Sequence, residues 1–208
     1  MTARRLLLAL PPLLLGACGG IFPDRPNVPV RRFPLAPRRP SADAPRPGAP
    51  VLLLRRIRAI PGLQELGLRR QRADGAFDIL PYEEWIAPPA DLAEAALRGW
   101  LGASGLFAAV VAPGSRAEAS LVLEAQLTVL EAAPAAGEAR AALAGVLLRE
   151  ERLSSRVLRP FEVAGSAPLA PAADAPAMAL AMGAALGQAF GRLEATLAGL
   201  GGAAVAAR

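Results

Sequence analysis

The sequence has no histidine and no lysine, and it has one cysteine, Cys18. Without histidine, the chain lacks the usual general base of hydrolases and the commonest metal ligand in proteins. Without lysine, it cannot form the phosphate-binding loop that ends in Gly-Lys. A single cysteine excludes an internal disulfide, and zinc sites built from cysteine and histidine are excluded with it. We therefore expect no catalytic residues and no metal site.

The basic residues are all arginines, and they outnumber the acidic residues by 23 to 18. Such a balance can indicate nucleic-acid binding, but the chain has only two tryptophans, one tyrosine and six phenylalanines. No basic run is interleaved with aromatic residues that could stack on bases. We expect no nucleic-acid partner. The arginines are better explained as solvating the surface, with some of them facing anionic lipid headgroups.

The N-terminus has the order of a secretory signal peptide. Arg4 and Arg5 precede an apolar run over residues 6–15. This run is too short to cross the hydrocarbon core of a membrane, which needs about 20 apolar residues, but it fits the apolar region of a secretory signal. The run ends in Leu-Gly-Ala-Cys, a quartet that resembles the lipobox of bacterial lipoprotein precursors. We predict a signal peptide over residues 1–17, cleavage between Ala17 and Cys18, and a covalent lipid on Cys18 as the only cofactor. The alternatives are an ordinary signal peptide followed by a chance cysteine, or a soluble chain with a hydrophobic N-terminus.

Residues 18–50 are predicted to be a tether. Between residues 19 and 50 there are nine prolines and six arginines, so this stretch buries too little apolar surface to offset the entropy of ordering. Proline-rich chain is stiff, at about 3.1 Å per residue. Residues 28–35 are more apolar and are expected to dock as an edge segment, because their prolines forbid a central strand.

Residues 51–202 are predicted to form one compact α/β domain, in which a mixed, mostly antiparallel sheet packs against two helices. The Asp74-Gly75 pair is typical of a hairpin turn, and Pro88-Pro89 is tolerated at a helix start. The period of the apolar residues predicts an amphipathic C-terminal helix. The predicted elements are a strand at 51–58, a hairpin of 65–72 and 76–80, a helix at 90–103, strands at 119–131 and 155–163, and a helix at 177–200.

Two details of these elements depend on local pattern. In the strand at 119–131, alternation places Leu121, Leu123, Ala125, Leu127 and Val129 on the buried face. Residues 138–150 are ambiguous, since their alanine and leucine content favours a helix while the neighbouring strands favour a second hairpin arm. Pro160 is expected to place the last strand at an edge or a bulge.

Two segments have the composition of catalytic motifs but a different context. Glu83-Glu84 could be paired carboxylates, yet adjacent residues of a strand point in different directions. The segment 102–105, Gly-Ala-Ser-Gly, is similar to a nucleophile elbow, but it follows a helix and is better explained as the helix end. Neither segment predicts catalysis, and we expect that the protein is not an enzyme.

One segment is distinctive: Tyr82-x-x-Trp85-x-x-Pro88-Pro89, followed by the predicted helix. Together with the lipobox and Arg32-Phe33-Pro34-Leu35, it resembles the ABC-type transport auxiliary lipoprotein family. These proteins are the accessory lipoproteins of MCE-type (mammalian cell entry) lipid transporters. The similarity extends over nearly the whole mature chain in the order of its elements.

The resemblance implies a role without chemistry. It implies a lipoprotein on the periplasmic face of the outer membrane, which contacts an MCE-domain protein and, through it, an ABC permease and ATPase. It is compatible with a homo-oligomeric ring. Two other functions remain open from the residues alone: a module that holds a lipid between sheet and helices, and an assembly factor for an outer-membrane protein.

Four residues are candidates for the partner interface. Tyr82 and Trp85 are either exposed contact residues, since tyrosine and tryptophan dominate binding hot spots, or packing residues over the start of the helix. Arg69 and Arg70 are either partner contacts or part of a solvated strand face. The sequence favours the structural interpretation for all four.

Overall fold

The computed structural model describes residues 27–151 and 154–205. The predicted signal peptide, Ala17 and Cys18 lie outside the described residues. The elements are β1 (Arg31–Phe33), β2 (Val51–Leu54), β3 (Arg58–Ala59), β4 (Gly67–Gln71), β5 (Phe77–Trp85), α1 (Pro89–Gly102), β6 (Ala109–Val111), β7 (Leu121–Ala133), a short 3-10 turn (Pro134–Ala136), β8 (Glu138–Glu150), β9 (Ser155–Pro168) and α2 (Ala175–Val205).

Strand β7 is the centre of the sheet. One of its sides pairs with β8, which pairs in turn with β9, and both pairings are antiparallel. Its other side carries β2, β3 and β4 one after another, all parallel to it. Beyond them, β6 pairs with β2, β5 with β4, and β1 with β5. The predicted α/β fold is confirmed, because the long pairs are antiparallel and two helices cover the sheet.

Helix α1 begins at proline, as its sequence predicts. Pro89 occupies the first turn, where its missing N–H had no partner, and Asp91 supplies an acidic side chain there. Ala93, Leu97 and Leu101 are fully buried against the core. At the other end the hydroxyl of Ser104 donates to the carbonyl oxygen of Leu101 at 2.6 Å. The segment 102–105 is therefore a helix end.

Helix α2 lies close to the sheet because small residues face each other. A Cβ atom on Gly165 of β9 would lie 2.1 Å from the carbonyl oxygen of Ala185. Larger side chains on the same face, including Met182 and Phe190, are fully buried. The Phe190 ring meets the Trp100 ring of α1 edge to face at 5.6 Å. In the described part of the chain, no helix is long and apolar enough to cross a membrane.

The structure corrects the predicted first strand. The segment 51–58 is not continuous: β2 ends at Leu54 and β3 starts at Arg58. Between them the N–H of Ile57 leaves the sheet and donates to Glu94 Oε2 of α1 at 3.0 Å. The strand breaks because a side chain on a distant helix offers this N–H a better acceptor than the neighbouring strand does.

The alternation predicted for β7 is correct only as far as Leu127. The pairing with β8 shifts by one residue between Leu127 and Val129. This bulge puts Leu130 and Ala132 in the core, while Val129 is only partly buried. Side chains alternate with a period of two, so one extra residue moves every later side chain to the other face.

Two uncertain elements are settled by pairing. Residues 138–150 form the strand β8, which buries alanines between β7 and β9. Residues 155–163 belong to the longer strand β9, which is an edge strand, as Pro160 predicts.

The N-terminal segment, residues 31–46, lies against the domain. Its strand β1 pairs with the edge of β5, which confirms the predicted docking. Leu35 is buried in the core, and Pro37 lies near Gly187 of α2. This part of the predicted tether is therefore folded. The pairing of β1 and the burial of Leu35 outweigh a proline-rich composition that disfavours order.

Candidate functional site

Tyr82 has an unusual backbone conformation. Its φ angle is +62°, and it is the one non-glycine residue with positive φ in the described part of the chain. It lies in a bulge of β5, where the pairing with β4 jumps from Arg69–Ile79 to Gly67–Glu84. For a residue with a Cβ atom this conformation costs about 1–2 kcal/mol. The side chain is 51% exposed, so the strain holds an aromatic ring at the surface.

Trp85 lies only three residues further, but in the opposite environment. Its side chain is 1% exposed, and it pairs in register with Phe33 of β1. Its backbone N–H donates to the carbonyl oxygen of Leu66 at 2.7 Å. Trp85 therefore packs the core and offers no surface to a partner, whereas Tyr82 does.

The edge between β1 and β5 carries paired charges. The Nε atom of Arg31 donates to Glu83 Oε1 at 2.9 Å, and Arg32 lies 3.3 Å from Glu84. These hydrogen bonds with Glu83 raise the pKa of the Arg31 guanidinium. Both arginine side chains are more than half exposed. The two carboxylates thus hold the N-terminal strand in place and do not form a pair with each other.

Exposed apolar side chains surround this edge. Val28 and Val30 precede β1, and Ile86 follows β5; all three are more than 40% exposed. Register pairing starts at Arg31–Glu83, so Val30 and Tyr82 precede the same pair on adjacent strands. We name Val28, Val30 and Tyr82 the entry edge, because the chain enters the domain there.

Arg69 and Arg70 have different surroundings. The guanidinium of Arg69 lies 3.6 Å from the centre of the Phe77 ring, an arrangement worth about 0.5–1 kcal/mol. Its Nη1 atom donates to the carbonyl oxygen of Gly62 at 3.1 Å. Arg70 forms an ion pair with Asp78 at 2.8 Å. The contacts described for these two arginine side chains do not include Tyr82.

Glu131 is a buried carboxylate next to arginines. It is 8% exposed, and Arg140 Nη1 lies 3.6 Å from its Oε1 atom. Burial raises the pKa of Glu131 above its ordinary value of 4.5, although the charges of Arg69 and Arg140 act in the opposite direction. Arg140 is shared, since its Nε atom also donates to Glu138 at 2.7 Å.

A second charged cluster fastens the N-terminal segment across both helices. Arg39 donates two hydrogen bonds to Glu194 of α2, at 2.8 and 3.1 Å. Trp100 Nε1 of α1 donates to the same carboxylate at 2.7 Å, and Asp43 accepts from Arg39 at 2.7 Å. Glu194 and Asp43 raise the pKa of Arg39. We name Arg39, Glu194 and Trp100 the clasp.

Beside the clasp, a surface groove of about 660 Å³ runs along α2. It is open to solvent and is lined by small side chains, by polar and charged ones including Arg39 and Glu194, and by Trp100 and Leu180 as its large apolar members. In residues 27–151 and 154–205, no group of acidic side chains is arranged to hold a metal ion.

The clasp, Glu131 and the exposed valines were not identified as site residues from the sequence. Arg39 and Glu194 are 155 positions apart, and no local pattern links them. Simple alternation places Glu131 in line with Leu127 and Val129 on the buried face, but no local pattern indicates its arginine neighbours. For Val28 and Val30 a signal exists, since they are isolated apolar residues in a proline-rich stretch.

No protein-family model matches the sequence, and no curated protein is similar enough to count as a relative. The fold has solved neighbours. A crystal structure of a Xanthomonas campestris protein with the family-model description DUF330 is 22% identical; its TM-score is 0.62, over 83% of this chain and 98% of that chain. Another, of an uncharacterized protein, is 14% identical; its TM-score is 0.54, over 76% of this chain and 95% of that chain.

A third structure, of a lipoprotein candidate from Caulobacter crescentus, is 18% identical and covers 53% of this chain and 83% of that chain. Its TM-score is 0.35, and we base no argument on that similarity. All three identities are below 25%, so the first two comparisons establish a shared fold and nothing about function.

Proposed function

We propose that the protein is a non-catalytic, lipid-anchored accessory subunit of an envelope lipid-transport system, held on the periplasmic face of the outer membrane. Its partners would be an MCE-domain protein and, through it, the ABC permease and ATPase. The protein would position or seal the outer-membrane end of that assembly.

The observation that carries this proposal is the Tyr82-x-x-Trp85-x-x-Pro88-Pro89 segment, read together with the lipobox at Cys18. The structural facts that support it are local. Pro89 starts α1 and Trp85 packs the core, while Tyr82 is strained and exposed between them. Residues held in strained backbone are found preferentially at functional sites.

The arrangement of charges is consistent with a subunit that binds without catalysing. Glu83 and Glu84 are each paired with an arginine. The hydroxyl of Ser104 is buried and donates to a backbone carbonyl. Each of these groups therefore already has a structural role, and a general acid, base or nucleophile has to be available to a substrate.

A module that holds a lipid between sheet and helices is less well supported. The space between them is filled by fully buried side chains such as Leu97, Leu143 and Phe190. A site for an acyl chain there would need those side chains to move. We therefore keep the accessory subunit as the favoured function.

The test is co-purification of the full-length protein from crosslinked envelopes, with identification of the bound proteins by mass spectrometry. We expect an MCE-domain protein with the wild type, and much less of it with the Cys18→Ala variant, which cannot be lipidated. Tyr82→Ser is the matched surface variant, because it keeps Cys18 for lipidation and changes only the exposed candidate residue.

Recovery of a β-barrel protein in place of MCE or permease subunits would favour the assembly-factor function. Recovery of lipid without any protein partner would favour the lipid-binding module. Either result would contradict the accessory-subunit proposal even if Cys18 proves to be lipidated.

A further inference from the structure

Three observations meet at the entry edge. Val28, Val30 and Tyr82 expose 45%, 41% and 51% of their surface. Tyr82 is held outward by a left-handed backbone in a bulge of β5. The chain that leads to Cys18 leaves the domain at this same edge, ahead of β1.

The length of that chain limits where the domain can lie. Val28 lies ten positions after Cys18, and an extended chain spans at most about 3.3–3.6 Å per residue. With a lipid on Cys18, the entry edge stays within about 35 Å of the membrane surface.

The opposite edge of the sheet is not constrained in this way. From β1 the order runs through β5, β4, β7 and β8 to β9, so about five strand spacings of about 4.8 Å separate the two edges. The entry edge is therefore the part of the domain that lies closest to the anchor along the chain. Once the anchor is in place, even weak contacts gain from the high local concentration of lipid.

We propose that the entry edge rests on the bilayer that holds the lipid anchor, with the ring of Tyr82 in the headgroup region and Val28 and Val30 against apolar lipid. This inference rests on the anchoring of Cys18 in the proposed function. It adds the side of the domain that faces the membrane, and so leaves β9 at the far end of the strand order.

The chemistry of the edge fits lipid headgroups. Tyrosine has an apolar ring and a polar hydroxyl, and it is enriched at membrane–water interfaces for that reason. The neighbouring charges cancel, because Arg31 and Arg32 are paired with Glu83 and Glu84. The contact therefore depends on the apolar and aromatic groups, and we expect it to respond weakly to salt.

Tyr82 is the only tyrosine of the chain, which allows a selective measurement. The full-length protein is produced in an envelope-forming bacterium with 3-fluorotyrosine, extracted, and reconstituted in nanodiscs of phosphatidylethanolamine and phosphatidylglycerol. The intact mass reports whether Cys18 carries lipid. The single fluorine resonance then reports on Tyr82, with a gadolinium chelate attached either to a minority of the headgroups or to no lipid at all.

The matched control moves the tyrosine to the other edge. In Tyr82→Phe with Val157→Tyr, the only tyrosine lies on β9, where Val157 is 57% exposed. We expect headgroup-bound gadolinium to relax the Tyr82 resonance several-fold more strongly than the resonance of the control. A second measurement does not need the relocated tyrosine. A water-soluble chelate should relax the Tyr82 resonance less in nanodiscs than in the lipid-free Cys18→Ala chain.

The outcomes separate this inference from the proposed function. A protein whose Cys18 carries lipid, but whose Tyr82 resonance responds no more than the control, overturns the membrane contact and leaves the anchoring intact. A resonance that ignores the headgroup chelate but changes when an MCE-domain protein is added assigns the edge to a protein partner and also overturns it. A mature chain without lipid on Cys18 overturns both.

Discussion

Tyr82 combines two properties that a single residue rarely has, a left-handed backbone and an exposed aromatic ring. Its neighbours impose the conformation: Pro81 has a fixed φ angle and no N–H, and Glu83 is held by Arg31. The sequence favoured a packing role for this residue, since nothing in a Pro-Tyr pair predicts positive φ. The exposed aromatic is therefore a consequence of the bulge.

We predict different effects on stability for two substitutions at this position. Tyr82→Val should destabilise the fold by about 1–2 kcal/mol, because a β-branched residue is particularly disfavoured at positive φ. Tyr82→Gly should leave stability within about 0.5 kcal/mol of the parent, since relief of strain offsets the entropy of glycine. Urea unfolding of the Cys18→Ala chain measures both values. Equal losses for valine and glycine would show that the side chain, and not the backbone, determines stability here.

Glu131 gives a pH dependence with a defined sign. Its folded-state pKa is raised by burial above the ordinary value of 4.5, so the folded state holds this proton more tightly than the unfolded state. Stability from this group is present below pH 4.5 and is lost as the pH rises through the folded-state pKa.

We therefore expect Glu131→Gln to be more stable than the parent at pH 7 and to lose that advantage near pH 4. Urea unfolding at both pH values tests this expectation, with the exposed Glu118→Gln as the control. A glutamine variant that is weaker at pH 7 than at pH 4, relative to the parent, would show that the attraction of Arg69 and Arg140 outweighs burial.

At the scale of elements, close backbone approach determines how α2 packs on β9. A Cβ atom at Gly165 would lie 2.1 Å from the carbonyl oxygen of Ala185 and 2.7 Å from the amide nitrogen of Ala189. Neither backbone atom can move without displacing the helix. The alanine-rich sequence of α2 is thus required for contact as well as for helix formation.

Two glycine substitutions should consequently differ in sign. Gly165→Ala should cost about 3 kcal/mol, at the upper end of overpacking effects. Gly99→Ala, in α1 with no atom within 4 Å of the added methyl group, should raise stability by about 0.5–1 kcal/mol. Thermal and urea unfolding measure both; a neutral Gly165→Ala would mean that α2 can shift away from the sheet at little cost.

The clasp controls how firmly the N-terminal segment is docked. Glu194→Gln keeps an acceptor for Trp100 but removes one of the two charged partners of Arg39 and leaves Asp43, a loss of about 1–2 kcal/mol for a hydrogen-bonded charge at a partly buried site. Trypsin should then cleave after Arg38 about five- to thirtyfold faster under native conditions. The exposed Glu118→Gln again serves as control. An unchanged rate would place the docking energy in β1 and Leu35 instead.

Much of the architecture could be predicted from the sequence, and the exceptions share a physical cause. Both helices and the hairpin at Asp74-Gly75 follow from local period and turn chemistry. The break at Ile57, the bulge after Leu127 and the strand identity of residues 138–150 depend on partners distant in sequence. Of the site, Tyr82 and the pairing of residues 28–35 at an edge could be named, while the clasp could not, since its members meet only after folding.

For the molecule as a whole, the edge of the sheet at β9 is blocked against pairing with another strand. Pro160 and Pro168 lack an N–H and lie in the same alternation as Ala164. The carbonyl oxygen of Ala164 accepts a hydrogen bond from Arg192 at 2.6 Å. Prolines and charges of this kind prevent strand addition. A ring of copies, if the chain forms one, would then not extend the sheet through β9.

Removing these blocks should promote self-association. Pro160→Val with Arg192→Met restores an N–H and uncovers a carbonyl on the outer side of β9, so we expect faster growth of light scattering and of thioflavin fluorescence. Arg116→Met, which removes an exposed positive charge elsewhere, is the control for the change in net charge. Equal behaviour of all three proteins at matched concentration would show that β9 is protected by some other feature.

The route of the N-terminal segment also has a mechanical consequence. A force applied at the N-terminus reaches the domain at Arg31 and acts first on β1, a three-residue strand at the sheet edge. Pulled along its axis, β1 loads its hydrogen bonds with β5 and its two ion pairs in shear, all at once. If they rupture, the buried side chain of Leu35 and then the clasp at Arg39 carry the tension. The chain released between these points lengthens the connection before β7 bears any load.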